Sequence, residues 1–409
     1  MSIGFDAQVI VVGGGPAGAS TAWHLARAGV DVLVLDRARF PRDKTCAECL
    51  SPESARLLDA MGALDALSAV GAKLRGMVVR APSGDEIRGG FVAAHGWRAP
   101  RDWGLAVSRR VLDATLVARA RAVGARVREG ARVADVVRDA AGRVCGVRVL
   151  DASGATTELR ARIVVGADGL RSVIVRRLGL ARVRAWPRRL ALVAHWRGVD
   201  GITDHGEMHV ERDGFVGIAD IGDGVTNTSM VVPAREAQRI SGDPASYLAS
   251  WIRGRAHLAP RFAAAERVDT VRVTGPFASA SRRGWAPGAA LVGDAADFFD
   301  PFTGEGVFAA LRGGEILAPF VAESCALPAA RADRALAGYE TARRRAFGGK
   351  WAVERIIGAV VDVPPLMNRA AHTLSRRRDL ADLLVGVAGD FVPPSAVLNA
   401  RYVWRVFVK

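Results

Sequence analysis

Ala7-Gln8-Val9-Ile10-Val11-Val12 runs straight into Gly13-Gly14-Gly15-Pro16-Ala17-Gly18. Residues 19–28 are helical in composition and close at Gly29, and residues 30–35 form a second apolar run ended by Asp36 and Arg37. Together these read as strand, Gly-x-Gly-x-x-Gly turn, helix, strand and acid, the layout of a dinucleotide-binding unit. Each part has a mechanical reason. Gly13 permits the tight turn off the strand, Gly15 lets the backbone approach a pyrophosphate, and Gly18 lets the helix pack closely on the strand. The helix start at Pro16 and Ala17 offers free N–H groups and a positive dipole end to phosphate oxygens. Asp36, with Arg37 beside it, stands where a carboxylate accepts from ribose hydroxyls.

The rest of the composition bounds the class. A chain of 409 residues is too long for one ordinary domain, so two or three lobes are expected. Half the residues are hydrophobic and 24% are charged, which excludes a largely disordered chain. A net charge of +15 suggests a polyanion partner, but only four of the 57 basic residues are lysines. Arginines beside so much Ala, Gly and Val read as a diffuse basic surface, and no nucleic-acid site is assigned. Four cysteines are too few for a disulfide scaffold. No apolar run approaches the ~18–20 residues that span a bilayer. Residues 1–8 lack the basic start of a secretory signal, so the expected compartment is the cytoplasm.

Two further stretches extend the first. Residues 163–168 are an apolar run ending in Gly166-Ala167-Asp168-Gly169, and residues 290–292 enter Gly293-Asp294-Ala295-Ala296. Pro301-Phe302-Thr303-Gly304-Glu305-Gly306 follows, with a helix from about residue 307. In this order, across residues 9–317, the chain resembles flavoproteins of the p-hydroxybenzoate hydroxylase fold. The resemblance implies FAD as cofactor and an α/β fold: a Rossmann-like FAD-binding lobe of the GR2 type, an antiparallel-sheet substrate lobe and a C-terminal helical segment. It puts Asp168 and Gly169 near the pyrophosphate, and Gly293 and Asp294 on the pyrophosphate and ribityl chain. Arg109 would meet phosphate oxygens from a helix start, and the backbone of Val133, in a strand at 128–137, would edge the adenine. Pro301 would close the flavin pocket. The helix after Gly304, Glu305 and Gly306 would aim its N-terminus at the pyrimidine edge, with Glu305 either a cofactor contact or simply a helix-start charge.

Residues 40–46, 300–306 and 379–394 resemble the geranylgeranyl reductase group within that fold. The implied function is an FAD-dependent oxidoreductase that reduces a C=C bond in a hydrophobic small molecule. The alternative is an NAD(P)H- and oxygen-dependent monooxygenase that hydroxylates or epoxidises a secondary metabolite. Two departures reshape the expected site. Cys46-Ala47-Glu48-Cys49-Leu50 lacks the group's glycines, and Phe215, Gly217 and Ala219 stand where the group lines its cavity with Tyr, Trp and Phe. Halogenases share the fold, but no two tryptophans here are spaced two apart, and Lys73 is the only lysine near the region of their reactive lysine. A non-enzymatic basic binder would leave three flavin motifs idle. With no second Gly-x-Gly-x-x-Gly, the electron donor is either transiently bound NAD(P)H or a partner protein.

Cys46 and Cys49 form a C-x-x-C. A zinc site would need a second ligand pair, and Cys145 and Cys325 are isolated, so no metal is expected. A redox dithiol would resemble disulfide reductases, which carry the second nucleotide motif missing here. The reductase resemblance puts Cys46 in the substrate cavity as a catalytic proton donor, with Cys49 a small buried residue. His195, His205 and His209 fall in the substrate lobe without a pattern that selects one.

The flavin lobe is expected at 1–70, 99–180 and 270–323, the substrate lobe at 71–98 and 181–269, and a helical region at 324–409. Strand-like runs at 74–80, 190–196, 208–211, 215–221 and 226–232 fit an antiparallel sheet. Apolar faces and arginines alternate over 366–409. That run reads first as amphipathic cover over the flavin lobe, and alternatively as peripheral contact with an anionic membrane.

Overall fold

The structure, a computed structural model, describes residues 4–150, 154–277 and 279–408. Its first sheet is built on strand Ala7–Val12, which pairs in parallel with Val32–Asp36 on one side and Thr156–Gly166 on the other. Arg126–Glu129 and Ala289–Leu291 extend it in parallel. Period-two side chains split the sheet into two cores. Val9, Val11, Val34, Ile163 and Val165 face helices Pro16–Arg27, Arg109–Ala122 and Gly306–Ala326. Ile10, Val12, Leu33, Leu35 and Val164 face the antiparallel strands Arg132–Arg138 and Val144–Leu150. Strands buried on both faces need continuous apolar runs, which is what the sequence supplies. The expected single strand at 128–137 is two, broken where Gly130 turns with φ +72°.

The second sheet also has eight strands. Arg189–Arg197, Thr226–Pro233, Gly214–Asp220 and His205–Glu211 pair antiparallel in that order, and Gly76–Arg80 joins His205–Glu211 in parallel. Leu190, Leu192, Val216 and Met230 pack on Leu248, Trp251 and Ile252 of helix Pro244–Arg253. The alternate residues Ala191, Phe215 and Val231 face Met367, Leu380 and Val406. The C-terminal helices Pro364–Arg376, Arg378–Ala388 and Ala400–Phe407 therefore cover the substrate sheet, not the flavin lobe as expected. The lobe boundary moves too: Arg272–Thr274 pairs with Ala191–Val193, so the substrate lobe extends beyond residue 269.

Helix Ala329–Asp362 joins the lobes. Near its start Tyr339 is buried and donates its hydroxyl to the Leu291 carbonyl at 3.1 Å, and near its end Val353 and Val361 enter the core under the second sheet. No described helix is long and apolar enough to cross a membrane.

Candidate active site: a phosphate cradle and an apolar cavity

The cradle begins at a steric constraint. A Cβ on Gly18 would fall 1.8 Å from the Gly13 carbonyl oxygen, so the helix lies against the turn as closely as backbones allow. Gly13 itself holds φ +104° and abuts the Ala167 carbonyl, with Asp168 next to it. Helix Pro16–Arg27 starts at once, with no side chain capping it. Gly293 lies against Ala17, and a Cβ on Gly306 would come within 3.9 Å of the Asp294 carboxylate. The starts of helices Pro16–Arg27 and Gly306–Ala326 thus lie on either side of Gly293 and Asp294.

Two guanidinium groups overhang Gly15. The Cβ position there is 3.4 Å from Arg42 Nη2 and 4.0 Å from Arg109 Nη2. Both arginines are held by one fully buried carboxylate. Arg109 donates twice to Asp113 at 2.8 Å, and Arg42 Nη2 reaches Asp113 at 3.0 Å. Arg42 Nη1 is buried with no partner. A buried cationic N–H without an acceptor is costly, and a pyrophosphate oxygen over Gly15 would supply one. The residues present therefore fit FAD. Arg42 lies inside the 40–46 segment, but no spacing rule singled it out.

The other expected cofactor residues vary in how they present. Asp36 is buried and accepts from the Gly14 N–H at 2.7 Å and the Ala38 N–H at 2.8 Å, so it clamps the glycine turn, while Arg37 is exposed. Asp168 accepts from Ser172 Oγ and the Val173 N–H, both at 2.6 Å, ahead of the short helix Val173–Arg177, and burial pushes its carboxyl up. Gly169 beside it turns with φ +77°. Val133 is buried in the core with Leu35 and Ala131. Burial pushes the Asp294 carboxyl up against the opposing fields of Lys44 and Arg109.

A polar seam joins the lobes beside the cradle, and the sequence did not announce it. Glu48 is buried with φ +63°, a region costly for a residue with a side chain. Its carboxylate accepts from the Arg109 N–H at 2.6 Å and from Asn227 Nδ2 at 2.9 Å, and meets His195 Nε2 at 2.8 Å. His195 Nδ1 meets Asp269 at 2.7 Å, and Arg272 bonds Asp269 at 2.6 Å. Burial opposes protonation of His195, but hydrogen bonds to Asp269 and Glu48 outweigh it and raise the imidazole to about 9. Asp269 is held at about 2 by His195 and Arg272. The seam pins the loop that carries both cysteines. His209 instead bonds Glu207 at 2.7 Å and stacks on His257, and His205 bonds Asp204. No group of three or more metal-ligating side chains occurs among the described residues.

Cys46 Sγ accepts from the Glu48 N–H at 3.3 Å and lies beside Arg109, on the cradle side. Cys49 lines the substrate cavity, with its thiol pushed up to about 12 by burial. The expectation put Cys46 in the cavity, but the turn through Glu48 sends the two thiols to different surroundings. All four cysteines are free.

That cavity has a volume of about 230 Å³. Gly217 and Ala219 of the second sheet line it, with the turn Pro301–Thr303, Gly304 and Glu305, and with Val360, Leu374 and Val406 from the C-terminal helices. Phe215 shares the sheet face but is not among the lining residues. It is packed edge-on against Phe302, with centroids 5.0 Å apart, under the Arg189 guanidinium. Glu305 ion-pairs with Lys350, which also pairs with Asp390, and Ser51 Oγ on the lining donates to Asp390 at 2.8 Å. Lys73 lies over the Trp103 ring and is not on the lining.

A dinucleotide cradle set against an apolar cavity places the chain among FAD-dependent oxidoreductases. More particularly, it belongs to the FAD binding domain family, whose sequence profile matches residues 6–350. It is 33% identical over 325 residues to digeranylgeranylglycerophospholipid reductase 2 of Methanopyrus kandleri, covering 78% of this chain and 77% of that one. It is 31% identical over 376 residues to menaquinone reductase of Mycobacterium tuberculosis, covering 85% of each. Among solved structures, the myxobacterial chondrochloren halogenase superposes with TM-score 0.77 at 26% identity, over 85% of this chain and 82% of that one. A flavoprotein/dehydrogenase from Cytophaga hutchinsonii gives 0.82 at 20% identity, over 98% and 96%, and speaks for the fold alone.

Proposed function

We propose that this enzyme reduces carbon–carbon double bonds in a long isoprenoid lipid. The observation that carries the reading is the cavity, whose lining is predominantly apolar from the second sheet to the C-terminal helices. Relatives named for an isoprenoid glycerophospholipid and a lipid quinone support it.

Saturating a C=C bond adds a hydride to one carbon and a proton to the other. When bound and reduced, by NAD(P)H or a donor protein, FAD would supply the hydride. The proton is the task of the chain. Ser51 and Glu305 are polar groups on the lining, backed by Lys350 and Asp390. Burial pushes the Asp390 carboxyl up, and pushes Glu354 beside it up to about 7. Glu354, at about 7, is within reach of neutral pH as a proton store, and Ser51 would relay a proton from this cluster to the substrate carbon. We place the enzyme in the cytoplasm, drawing its substrate from a membrane.

The test is single turnover under nitrogen. Reduced holoenzyme mixed with a geranylgeranyl lipid should reoxidise, and the product should gain two hydrogens per double bond. A product that gains oxygen and forms only in air would overturn the reading in favour of a monooxygenase.

A further inference from the structure

The cavity opens at one end. Ile356 and Val403 both line it and are about half exposed, so they form its rim. Apolar exposure continues outward from that rim. Trp404 on helix Ala400–Phe407 is 56% exposed, and Val408, one turn on and just past the helix end, is 52% exposed. The end of that helix is tied to its neighbour, because Arg369 donates to the carbonyls of Phe407 and Val408. Leu366, one turn before Arg369, and Val363, two turns beyond Ile356, are exposed as well. Six of the large exposed apolar side chains thus gather around one opening, where scattered single residues would be ordinary.

Cations frame this patch. Arg355 immediately precedes Ile356 on the long helix, Arg401 lies one turn before Trp404, and Arg369, on helix Pro364–Arg376, reaches the end of helix Ala400–Phe407. All three are exposed, and none has an ion-pair partner among the described residues. Apolar side chains including a tryptophan, ringed by arginines, match the boundary between headgroups and acyl chains of an anionic bilayer.

We infer that this face is a membrane-docking surface: Trp404, Val408 and Leu366 enter an anionic leaflet, Arg355, Arg369 and Arg401 meet its headgroups, and the cavity mouth between Ile356 and Val403 takes the isoprenoid substrate directly from the lipid phase. The inference rests on the lipid-reductase reading and adds the route by which substrate reaches the site. A protein partner on the same face would require contact with a defined surface, not with lipid alone.

The test is co-sedimentation of the full-length holoenzyme with vesicles of phosphatidylcholine containing phosphatidylglycerol. Binding should occur, weaken at high salt, and fall at least tenfold in Trp404→Glu, while Phe5→Glu, an exposed apolar residue of the flavin lobe, binds as wild type does. FAD content and circular dichroism establish that each variant is folded. Absence of binding by folded wild-type protein, or equal binding by Trp404→Glu, would overturn the inference. Turnover of a detergent-dispersed isoprenoid lipid separates the two readings. If it is retained in Trp404→Glu, lost vesicle binding is a docking defect. If it is absent in a wild type that binds vesicles, the reductase reading fails and the docking face stands.

Discussion

The cradle and the cavity lie side by side but are built in opposite ways. The cradle is polar and is made of short stretches at fixed spacing: a glycine turn, a helix start and two arginines sharing Asp113. The cavity is apolar, and its lining comes from residues as far apart as Ala47 and Phe407. A phosphate needs donors at defined positions, which a local motif can fix. An isoprenoid chain needs only apolar volume, which any apolar set enclosing the right space provides. Substitutions in the cradle should therefore be severe and specific to the cofactor. Those in the cavity should be graded and act through the substrate.

The largest effect is expected at Gly18. A valine there collides with the Gly13 carbonyl, and Gly18→Val should lose FAD and cost about 3 kcal/mol or more in chemical denaturation. A folded, yellow Gly18→Val protein would break the contrast. Arg109→Met should come next. It removes the bidentate partner of a carboxylate with no exposure, and breaking a buried pair costs about 3–5 kcal/mol. Arg42→Met leaves the Arg109–Asp113 pair in place, so the fold should survive while FAD affinity falls about ten- to a hundredfold, read by flavin fluorescence. Equal loss of stability in both variants would show that the two arginines are not divided between support and ligand.

Gly217→Phe sharpens the other side. The nearest atom to a Cβ there is Met208 Cε at 3.6 Å, so the ring can enter the cavity without displacing backbone. FAD content should be unchanged and KM for a long isoprenoid should rise about tenfold, the loss of one to two buried CH₂ contacts. An unchanged KM would put the substrate elsewhere.

The smallest effect belongs to the seam. The folded-state value of His195, about 9, lies above its ordinary 6.5. Its contribution is therefore fully present below pH 6.5 and is lost as pH rises through 9. Asp269, depressed to about 2, contributes above its ordinary 3.8 and loses that as pH falls through 2. Stability from the pair should be greatest between about pH 4 and 6.5. His195→Gln should flatten the decline toward pH 9 by about 1 kcal/mol, allowing for partial solvent screening. An unchanged pH profile in denaturation would remove the imidazolium from the seam.

Glu48 shows how far the sequence could be followed. It was visible as a departure, a charged residue where the resembling group carries glycines. What the sequence did not contain was the reason such a residue is tolerated with φ +63°. Three hydrogen-bond partners, Arg109, Asn227 and His195, offset the backbone cost, and they come from positions 61, 179 and 147 residues away. Lys350 was equally silent, an unremarkable lysine in an Ala- and Arg-rich helix until the fold set it between Glu305 and Asp390.

The sequence by itself determined the class: the βαβ unit, the FAD family and the order of the motifs, because phosphate binding demands particular residues at short, fixed separations. Only the tertiary structure decided which way each thiol of the C-x-x-C faces, that Arg42 keeps one N–H without an acceptor beside the glycine turn, and that the C-terminal helices roof the substrate sheet. These depend on contacts between residues far apart in the chain, and amphipathic periodicity marks a helix face as apolar without stating which surface it will cover.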